Sequence, residues 1–419
     1  MRRNRYENVI KRQLWTMLGA TMLALGIGST TVGAAAAPTS LAGGQEAVRA
    51  LHGPATGPTL TIDDHGQVFV AWSQNGAVYK SIVVARMVDD QLELLGPDAG
   101  AGGVNGSVGD ATAPSLAINA AGQPTVAWED GSDGNHEIYL RAWNGSAWEA
   151  RGLLSSRGGV SRTRTGHSSF PKLVFDPRGV ATLAWEERFA SRSDIYVRQV
   201  PRAGTEPDLV DLGEQAGLTG FPSKLSAARQ PALASSAQGL PTVAWIDDEL
   251  GRDAVYLLQW TGRRWIELDR SGLGYGVNRS PHTASSVGLR LDAQGRPVLS
   301  WREGARETAR VRVVRWADDA WRDVGESAAE PAAEPVWPAL ALDAEGRPLI
   351  AYRSRDRVVW RRWTGSDWQT IAGFDWQAAP AYTLPDRRML AFDARAGKAC
   401  AVWLDVAPRS AVRVACRAY

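Results

Sequence analysis

Carboxylate side chains that follow tryptophans are the residues of this chain best suited to chemistry. Glu129, Glu186 and Asp247 each lie one or two residues after a tryptophan that ends an apolar run. Paired carboxylates can transfer protons to and from a glycosidic bond. The same placement recurs elsewhere in the chain, which favours a structural role such as pairing with arginine or holding loop backbone. We expect that structural role, and these three acids are the candidate catalytic residues if the protein is an enzyme.

The densest group of oxygen ligands is the segment 130–137, Asp-Gly-Ser-Asp-Gly-Asn-His-Glu. Asp130, Asp133, Asn135 and Glu137 place hard oxygen atoms in a glycine-containing loop, an arrangement that can hold Ca²⁺. The spacing is not that of an EF-hand, and no second loop repeats it. We therefore expect a solvated loop and no cofactor, with a Ca²⁺ site as the alternative.

Other sequence signatures of catalysis are absent. The five histidines show no metal-ligand spacing. The sequence contains no Gly-x-Ser-x-Gly nucleophile motif and no Walker-type phosphate loop. We therefore expect a protein without a metal centre and without catalytic activity.

A glycine followed six residues later by a large aromatic residue recurs seven times and marks a repeat protein. Successive glycines are 51 to 60 residues apart. A residue that recurs with the repeat normally serves the scaffold, so the repeat also limits the candidates for function. The pairs are Gly66/Trp72, Gly122/Trp128, Gly179/Trp185, Gly239/Trp245, Gly295/Trp301, Gly346/Tyr352 and Gly397/Trp403.

Each repeat contains segments with the apolar alternation that is typical of half-buried strands. In the clearest repeat, the segment 343–346 predicts a tight turn, because an aspartate can bond its own backbone and a glycine can adopt positive φ. Thr364-Gly365 predicts a second hairpin turn. Four antiparallel strands per repeat predict an all-β fold, a seven-bladed β-propeller. A β-solenoid, with shorter repeats and parallel strands, is the alternative.

The first 36 residues are expected to be a signal peptide. Basic residues precede the apolar stretch 14–33, and three alanines at 34–36 supply the small residues of a cleavage site. An uncleaved membrane anchor is the alternative, since the stretch is long enough to span a bilayer. Cleavage after Ala36 removes five Lys/Arg and Glu7, which leaves 42 basic and 44 acidic residues. This balance gives no reason to expect a nucleic-acid partner, and no membrane insertion is expected after cleavage.

Residues 37–44 are expected to form a short linker, and residues 45–419 a single propeller domain. The last repeat has three predicted strands, and the segment 45–51 looks like an isolated fourth strand. We predict that this strand pairs with the last blade and closes the ring, because closure removes an exposed sheet edge. Cys400 and Cys416 fall opposite each other if the last hairpin centres on Pro408, which predicts a cross-strand disulfide in an exported protein.

Aromatic residues that do not recur are the candidates for ligand binding. Most of the tryptophans occupy equivalent positions in several repeats, so packing between blades is expected for them. Phe170, Tyr275, Trp337 and Trp376 are instead expected in long loops between blades, on the same face as the loops joining second and third strands. Aromatic rings suit sugars because they bury apolar C–H surface. These four residues are the predicted ligand-binding residues.

The repeat Leu-x-x-Asp-x-x-Gly-x-Pro-x-x-x-Trp, with a later Ile-Tyr-Val-Arg and Trp-x-Gly-x-x-Trp, resembles the repeats of secreted bacterial β-propellers. Over residues 45–419 it is loosely similar to the sialidase-type (BNR, Asp-box) propellers and to propeller lectins. The resemblance implies the fold. It carries no sialidase catalytic residues over, because the Asp-box spacing differs and the Phe/Tyr-Arg-Ile-Pro element is absent.

Since propellers host many functions, three hypotheses follow. The first is a secreted, non-catalytic binding protein that holds a glycan or protein partner on the long-loop face. The second is a sialidase-like carbohydrate-active enzyme, with Glu129, Glu186 and Asp247 lining the central funnel. The third is a structural cell-surface protein. In each case we expect a monomer that is exported, whether secreted, periplasmic or on the cell surface.

Overall fold

The computed structural model describes residues 55–89, 91–98, 101–132, 134–150, 159–162, 166–201, 209–212, 227–272, 274–330, 332–375, 390–405 and 411–419. These residues belong to a compact unit that spans Gly44–Tyr419. The predicted signal peptide, the linker and the strand at 45–51 lie outside the described residues. Within the described ranges, no helix has the length and apolarity needed to cross a membrane.

The described residues form seven antiparallel sheets, named blades 1 to 7 in chain order. Within each blade the strands pair in sequence order, and the first strands of successive blades contact one another around the centre. Six blades have four strands and blade 7 has three described strands. The prediction of an all-β, seven-bladed β-propeller is confirmed. The strands are β1 Ala55–Ile62, β2 Val68–Asn75, β3 Lys80–Val88 and β4 Gln91–Leu94 in blade 1; β5 Ala111–Ile118, β6 Pro124–Asp130, β7 Glu137–Trp143 and β8 Trp148–Ala150 in blade 2; β9 His167–Phe175, β10 Ala181–Arg188, β11 Ser193–Val200 and β12 Val210–Asp211 in blade 3; β13 Arg229–Ser235, β14 Pro241–Asp247, β15 Ala254–Trp260 and β16 Trp265–Ile266 in blade 4; β17 Ala284–Leu291, β18 Pro297–Glu303, β19 Arg310–Ala317 and β20 Ala320–Asp323 in blade 5; β21 Val336–Leu342, β22 Pro348–Ser354, β23 Arg357–Trp363 and β24 Trp368–Asp375 in blade 6; and β25 Leu390–Arg395, β26 Lys398–Asp405 and β27 Ala411–Ala418 in blade 7.

Blades 1 and 7 pack directly against each other, so the ring is closed. The backbone N–H of Ile62 in β1 donates to Asp393 Oδ2 in β25 at 3.2 Å. Ile62 and Trp72 also share one apolar core with Val402 and Val414 of blade 7. The contacts that close the ring are therefore all between described strands.

Tight turns join the first two strands of each blade on one face of the ring, which we call the turn face. In blade 1, Asp63 Oδ1 accepts the backbone N–H groups of His65 at 2.9 Å and Gln67 at 2.8 Å. Gly66 has φ +79°, a conformation that glycine adopts without strain. The opposite face, which carries the second-to-third-strand loops and the connections between blades, is the long-loop face.

The repeating tryptophans are the core of the seams between blades, as expected. The six that end second strands are at most 2% exposed. Those at the end of the third strand and the start of the fourth pack in pairs with ring centroids 5.3 to 5.6 Å apart. In addition, the indole N–H of Trp265 donates to the carbonyl of Leu212 in the preceding blade at 3.0 Å. The recurrence of tryptophan is therefore explained by packing between neighbouring blades.

The predicted disulfide between Cys400 and Cys416 is present. The two residues are direct partners across β26 and β27, and Val402 faces Val414 in the same register. A disulfide is compatible with an exported protein, because oxidising compartments preserve such bonds.

Candidate functional site

The carboxylates that follow the strand-ending tryptophans fall into two groups that face opposite neighbouring blades, because successive strand residues alternate in direction. Two positions after the tryptophan, the side chain lies on the indole's face of the strand, where an acid can accept the indole N–H. Asp130 accepts from Trp128 at 3.1 Å, and Glu187 accepts from Trp185 at 2.9 Å. These hydrogen bonds explain why acids recur at this position.

Asp247 belongs to this first group. It is 5% exposed, and its Oδ1 accepts the backbone N–H of Glu249 at 2.9 Å. Burial raises the pKa of Asp247 to about 6, although the hydrogen bond from Glu249 opposes the shift. Asp247 does not line the cavity at the centre of the ring.

Glu129 and Glu186 form the second group, directly after the tryptophan, and they face the next blade. Glu186 is 3% exposed and accepts from Arg188 Nη2 at 2.8 Å and from the backbone N–H of Gln230. Burial raises the pKa of Glu186, and the bond from Arg188 opposes this rise. Of the three candidate acids, Glu129 lines the central cavity and the other two do not. The hypothesis of three acids lining one funnel is therefore wrong for Glu186 and Asp247.

The central channel is a cavity of about 280 Å³, enclosed by the first strands of the blades. Its polar lining includes Glu129, Lys172, Gln230 and Arg290. Near the turn face, Arg290 of blade 5 reaches past blade 6 to blade 7. Its Nη2 donates to the carbonyl of Phe392 at 3.4 Å and lies 3.7 Å from Asp393 Oδ1. This contact joins blades 5 and 7 along the channel wall near the turn face.

The first strands of blades 1 to 6 carry a β-bulge near the long-loop face. The residue at each bulge has φ between 51° and 60°, although only the first is glycine. Proline follows in five of the six blades and normally holds the preceding residue extended, so this conformation is strained. Bulges at rims re-aim side chains. The bulges were not predicted from the sequence, although a proline eight residues before the repeat glycine signals them in five blades. The bulge residues are Gly57, Ala113, Phe170, Gln230, Ser286 and Trp337.

The four predicted ligand-binding aromatics lie in different environments. Phe170 and Trp337 are in the first strands β9 and β21, so their predicted placement in loops is wrong. Phe170 is half-buried and lines the channel, whereas Trp337 is 4% exposed within the core of blades 6 and 7. Tyr275 is 66% exposed in a loop, with the Arg252 guanidinium 5.4 Å from its ring centre. Trp376 lies outside the described residues.

Glu129 is joined at the channel mouth by two histidines that the sequence analysis did not single out. His136 Nδ1 lies 2.5 Å from Glu129 Oε1, and the His167 ring is 5.6 Å from that of His136. The hydrogen bond with Glu129 raises the pKa of His136, and burial partly opposes this rise. The His136 side chain is 45% exposed, so it can exchange a proton with a bound molecule.

The acidic segment 130–137 is held by hydrogen-bond donors. Asp130 accepts from Ser107 Oγ at 2.6 Å and from the backbone N–H of Ser132 at 3.0 Å, in addition to the tryptophan. Glu137 accepts from Asn135 Nδ2 at 2.9 Å and from a serine hydroxyl. In the described part of the chain, no three His, Cys, Asp or Glu side chains are grouped so that they could hold a metal ion. The fourth predicted ligand, Asp133, lies outside it.

Several connections between blades are pinned to the third strand by a Gly-Val-Asn/Ser motif, which the sequence analysis also missed. In blade 1, Val104 N–H donates to the carbonyl of Ile82 at 2.8 Å, and Ile82 N–H donates to Asn105 Oδ1 at 2.9 Å. The motif recurs at 159–161 and 276–278 with the same pair of bonds. These bonds satisfy the backbone N–H and C=O groups at the part of the third-strand edge that the short fourth strand does not pair. These parts of the long loops are therefore scaffold.

Comparison with known proteins gives the fold and no family. No protein-family model matches the sequence, and no curated protein matches it. An ulvan lyase of polysaccharide lyase family PL25, solved bound to -[GlcA(1-4)Rha3S]-, is 13% identical with a TM-score of 0.53, and the match covers 87% of this chain and 93% of that chain. The polysaccharide lyase Uly1 is 8% identical with a TM-score of 0.50, covering 87% and 89%. A Hadza microbial sialidase is 10% identical with a TM-score of 0.48, covering 90% and 68%. The chain thus shares its fold with the two polysaccharide lyases, and at these identities the likeness shows the fold alone.

Proposed function

We propose that the protein is an exported glycan-binding protein that holds the end of a glycan in the channel mouth on its long-loop face. The observation that carries this proposal is the cavity beside Phe170. Its volume of about 280 Å³ is at the lower end of small-molecule sites, which suits one sugar unit. The Phe170 ring offers an apolar face to the sugar, while Glu129, Lys172 and Gln230 offer polar groups to its hydroxyls.

Glycan-array screening followed by calorimetry on the hits tests this proposal. Phe170→Gly removes the ring and keeps the bulge, because glycine adopts positive φ without strain. Ala113→Gly is the matched control, since it changes the equivalent bulge residue of blade 2 and removes no ring. We expect Phe170→Gly to weaken binding about fivefold and Ala113→Gly to leave it unchanged. Equal binding by both variants and the wild type would exclude the channel mouth as the site.

A carbohydrate-active enzyme is the second candidate, and the Glu129–His136 pair favours it. A half-exposed histidine with a carboxylate on Nδ1 can give or take a proton at Nε2. A glycan held against Phe170 would lie close to this pair, since Glu129 and Phe170 line the same cavity.

Incubation with chromogenic glycosides and with uronate polysaccharides tests the enzymatic candidate. Turnover by the wild type should be lost in His136→Ala and retained in His65→Ala, which removes an exposed histidine from the turn face. Turnover that survives His136→Ala would contradict the assigned role. If the wild type neither binds nor cleaves any glycan, both candidates fail and a structural surface protein remains.

A further inference from the structure

Tyr275 is an exposed aromatic residue at a position where other connections between blades have glycine. The residue directly before the Gly-Val-Asn/Ser motif is Gly102 after blade 1 and Gly158 after blade 2, whereas it is Tyr275 after blade 4. Tyr275 is 66% exposed, so its ring contributes little to packing between blades. A large aromatic residue at this position therefore does not serve the repeat.

The backbone on both sides of Tyr275 is bonded to β15, the third strand of blade 4. The Tyr256 hydroxyl donates to the carbonyl of Gly274 at 2.8 Å, and the N–H of Val277 donates to the carbonyl of Val255 at 2.7 Å. The exposed ring is therefore carried on a fixed segment. A ligand that stacks on it does not have to order a loop first, which removes part of the entropic cost of binding.

Arg252, in the β14–β15 loop, brings a cation to this ring. Its guanidinium lies 5.4 Å from the centre of the Tyr275 ring. Within the described ranges Arg252 donates no hydrogen bond, and its Nη1 is shielded from solvent. An unpaired shielded donor costs more free energy than a cation–π contact at the surface returns. Stabilisation of the fold therefore does not explain Arg252, and its remaining N–H donors are available to a ligand.

The charges around this pair decide which class of ligand fits. Burial raises the pKa of the Tyr256 hydroxyl, and three nearby acids raise it further, while Arg252 opposes the rise. The acids are Asp247, Asp248 and Glu249. Because this hydroxyl bonds the residue before the exposed ring, acids outnumber the arginine around the site. An anionic ligand would be repelled there, whereas an uncharged ligand would not.

We propose that Tyr275 and Arg252 form a second sugar-binding site on the long-loop face, which takes an uncharged sugar unit. The C–H surface of the sugar would stack on the Tyr275 ring, and its hydroxyls would accept from Arg252 and donate to Glu249. Neither Tyr275 nor Arg252 lines the central cavity, so the site is separate from the channel mouth. The choice of a sugar as the ligand rests on the proposed function.

Titration with the methyl glycosides of glucose, galactose and mannose tests the site, followed by NMR of isotope-labelled tyrosine rings. The Tyr275 signals, assigned by their absence in Tyr275→Ala, should shift saturably with at least one of these sugars. The uronic acid of the responding sugar should bind more weakly. Unchanged Tyr275 signals with all three sugars overturn the site, and tighter binding of the uronic acid overturns the assigned ligand class.

Arg252→Met separates ligand binding from support of the loop. Methionine keeps a flexible apolar chain beside the ring and removes the N–H donors. The affinity for the responding sugar should fall about fivefold, and the urea midpoint should not fall, because no hydrogen bond to the protein is lost. Unchanged affinity with a lowered midpoint would assign Arg252 to the scaffold and overturn the two-residue site.

Oligosaccharide binding by matched variants distinguishes this site from the channel mouth. Tyr275→Ala should weaken binding about fivefold, whereas Tyr79→Ala, which removes a tyrosine that is 45% exposed beside the β2–β3 turn, should have no effect. Weakening in Phe170→Gly alone overturns the second site and leaves the proposed function intact. If the wild type binds no oligosaccharide, the proposed function fails, and the methyl glycoside titration still decides the Tyr275 site. Thermal melts of each variant verify folding.

Discussion

Gly276→Ala gives the sharpest test of how the long loops are held. Gly276 has φ +62° and opens the Gly-Val-Asn segment between blades 4 and 5. A Cβ at this position would overlap the carbonyl oxygen of Val255 in β15. That oxygen accepts the N–H of Val277 at 2.7 Å, and the N–H of Val255 donates to Asn278 Oδ1 at 3.0 Å. The added methyl group therefore forces the loop away from the strand.

The expected loss of stability in Gly276→Ala is the sum of a conformational cost and the loss of two hydrogen bonds. An alanine in the left-handed region costs about 1 kcal/mol, and each of the two hydrogen bonds contributes about 1 kcal/mol. Gly276→Ala should therefore lower the free energy of unfolding by about 3 kcal/mol. Gly251→Ala is the matched control, because Gly251 also has positive φ, +71°, but a Cβ there would meet no described atom within 4 Å. Its expected loss is about 1 kcal/mol.

Urea unfolding followed by tryptophan fluorescence measures both variants, with far-UV circular dichroism to establish that each is folded. The expected difference between them is about 2 kcal/mol. If Gly276→Ala is no less stable than Gly251→Ala, the loop is not pinned as described, and the long loops return as candidate binding elements.

Three further predictions concern protonation and the disulfide. Glu129→Gln should lower the pKa of His136, measured by NMR titration of the ring. Because the pKa of His136 is raised in the folded state, the pair stabilises the wild type fully below the ordinary histidine pKa of 6.5, and this advantage over the variant should vanish as pH rises through the folded-state pKa. Since burial raises the pKa of Asp247 from 3.8 to about 6, wild-type stability should fall by up to about 3 kcal/mol as pH rises through this range, and urea titrations of Asp247→Asn should lack this fall. Replacing Cys400 and Cys416 with alanine should cost about 3 kcal/mol for their separation of 16 residues; equal urea midpoints for variant and wild type under non-reducing conditions would contradict a stabilising bridge.

The repeat made the fold predictable, because the turn glycine and the strand-ending aromatic have fixed structural roles in every blade. The pairing of Cys400 with Cys416 followed from the same strand periodicity. Phe170 and Trp337 were misplaced because a bulge interrupts the apolar alternation at the start of the first strand. The extent of the first strand was therefore underestimated at the channel mouth.

The candidate site was predicted less well than the fold, because it depends on which blade each side chain faces. Glu129 and Asp247 looked alike in sequence, but Asp247 lies one position further from its tryptophan than Glu129 does. Because side chains alternate in direction along a strand, Glu129 points to the channel, whereas Asp247 packs against the core of an adjoining blade. The contact between Glu129 and His136 spans the β6–β7 connection, whose register the sequence pattern did not define.

The bridge from Arg290 to blade 7 has a consequence for the shape of any glycan that the channel admits. Under the proposed function, the Arg290 side chain and its contacts with Phe392 and Asp393 stand in the path of a polymer that would thread through the ring. We therefore expect a chain terminus or a short branch to enter from the long-loop face and to leave by the same opening. Trimming the ends of a polysaccharide should therefore change its capture more than shortening its backbone.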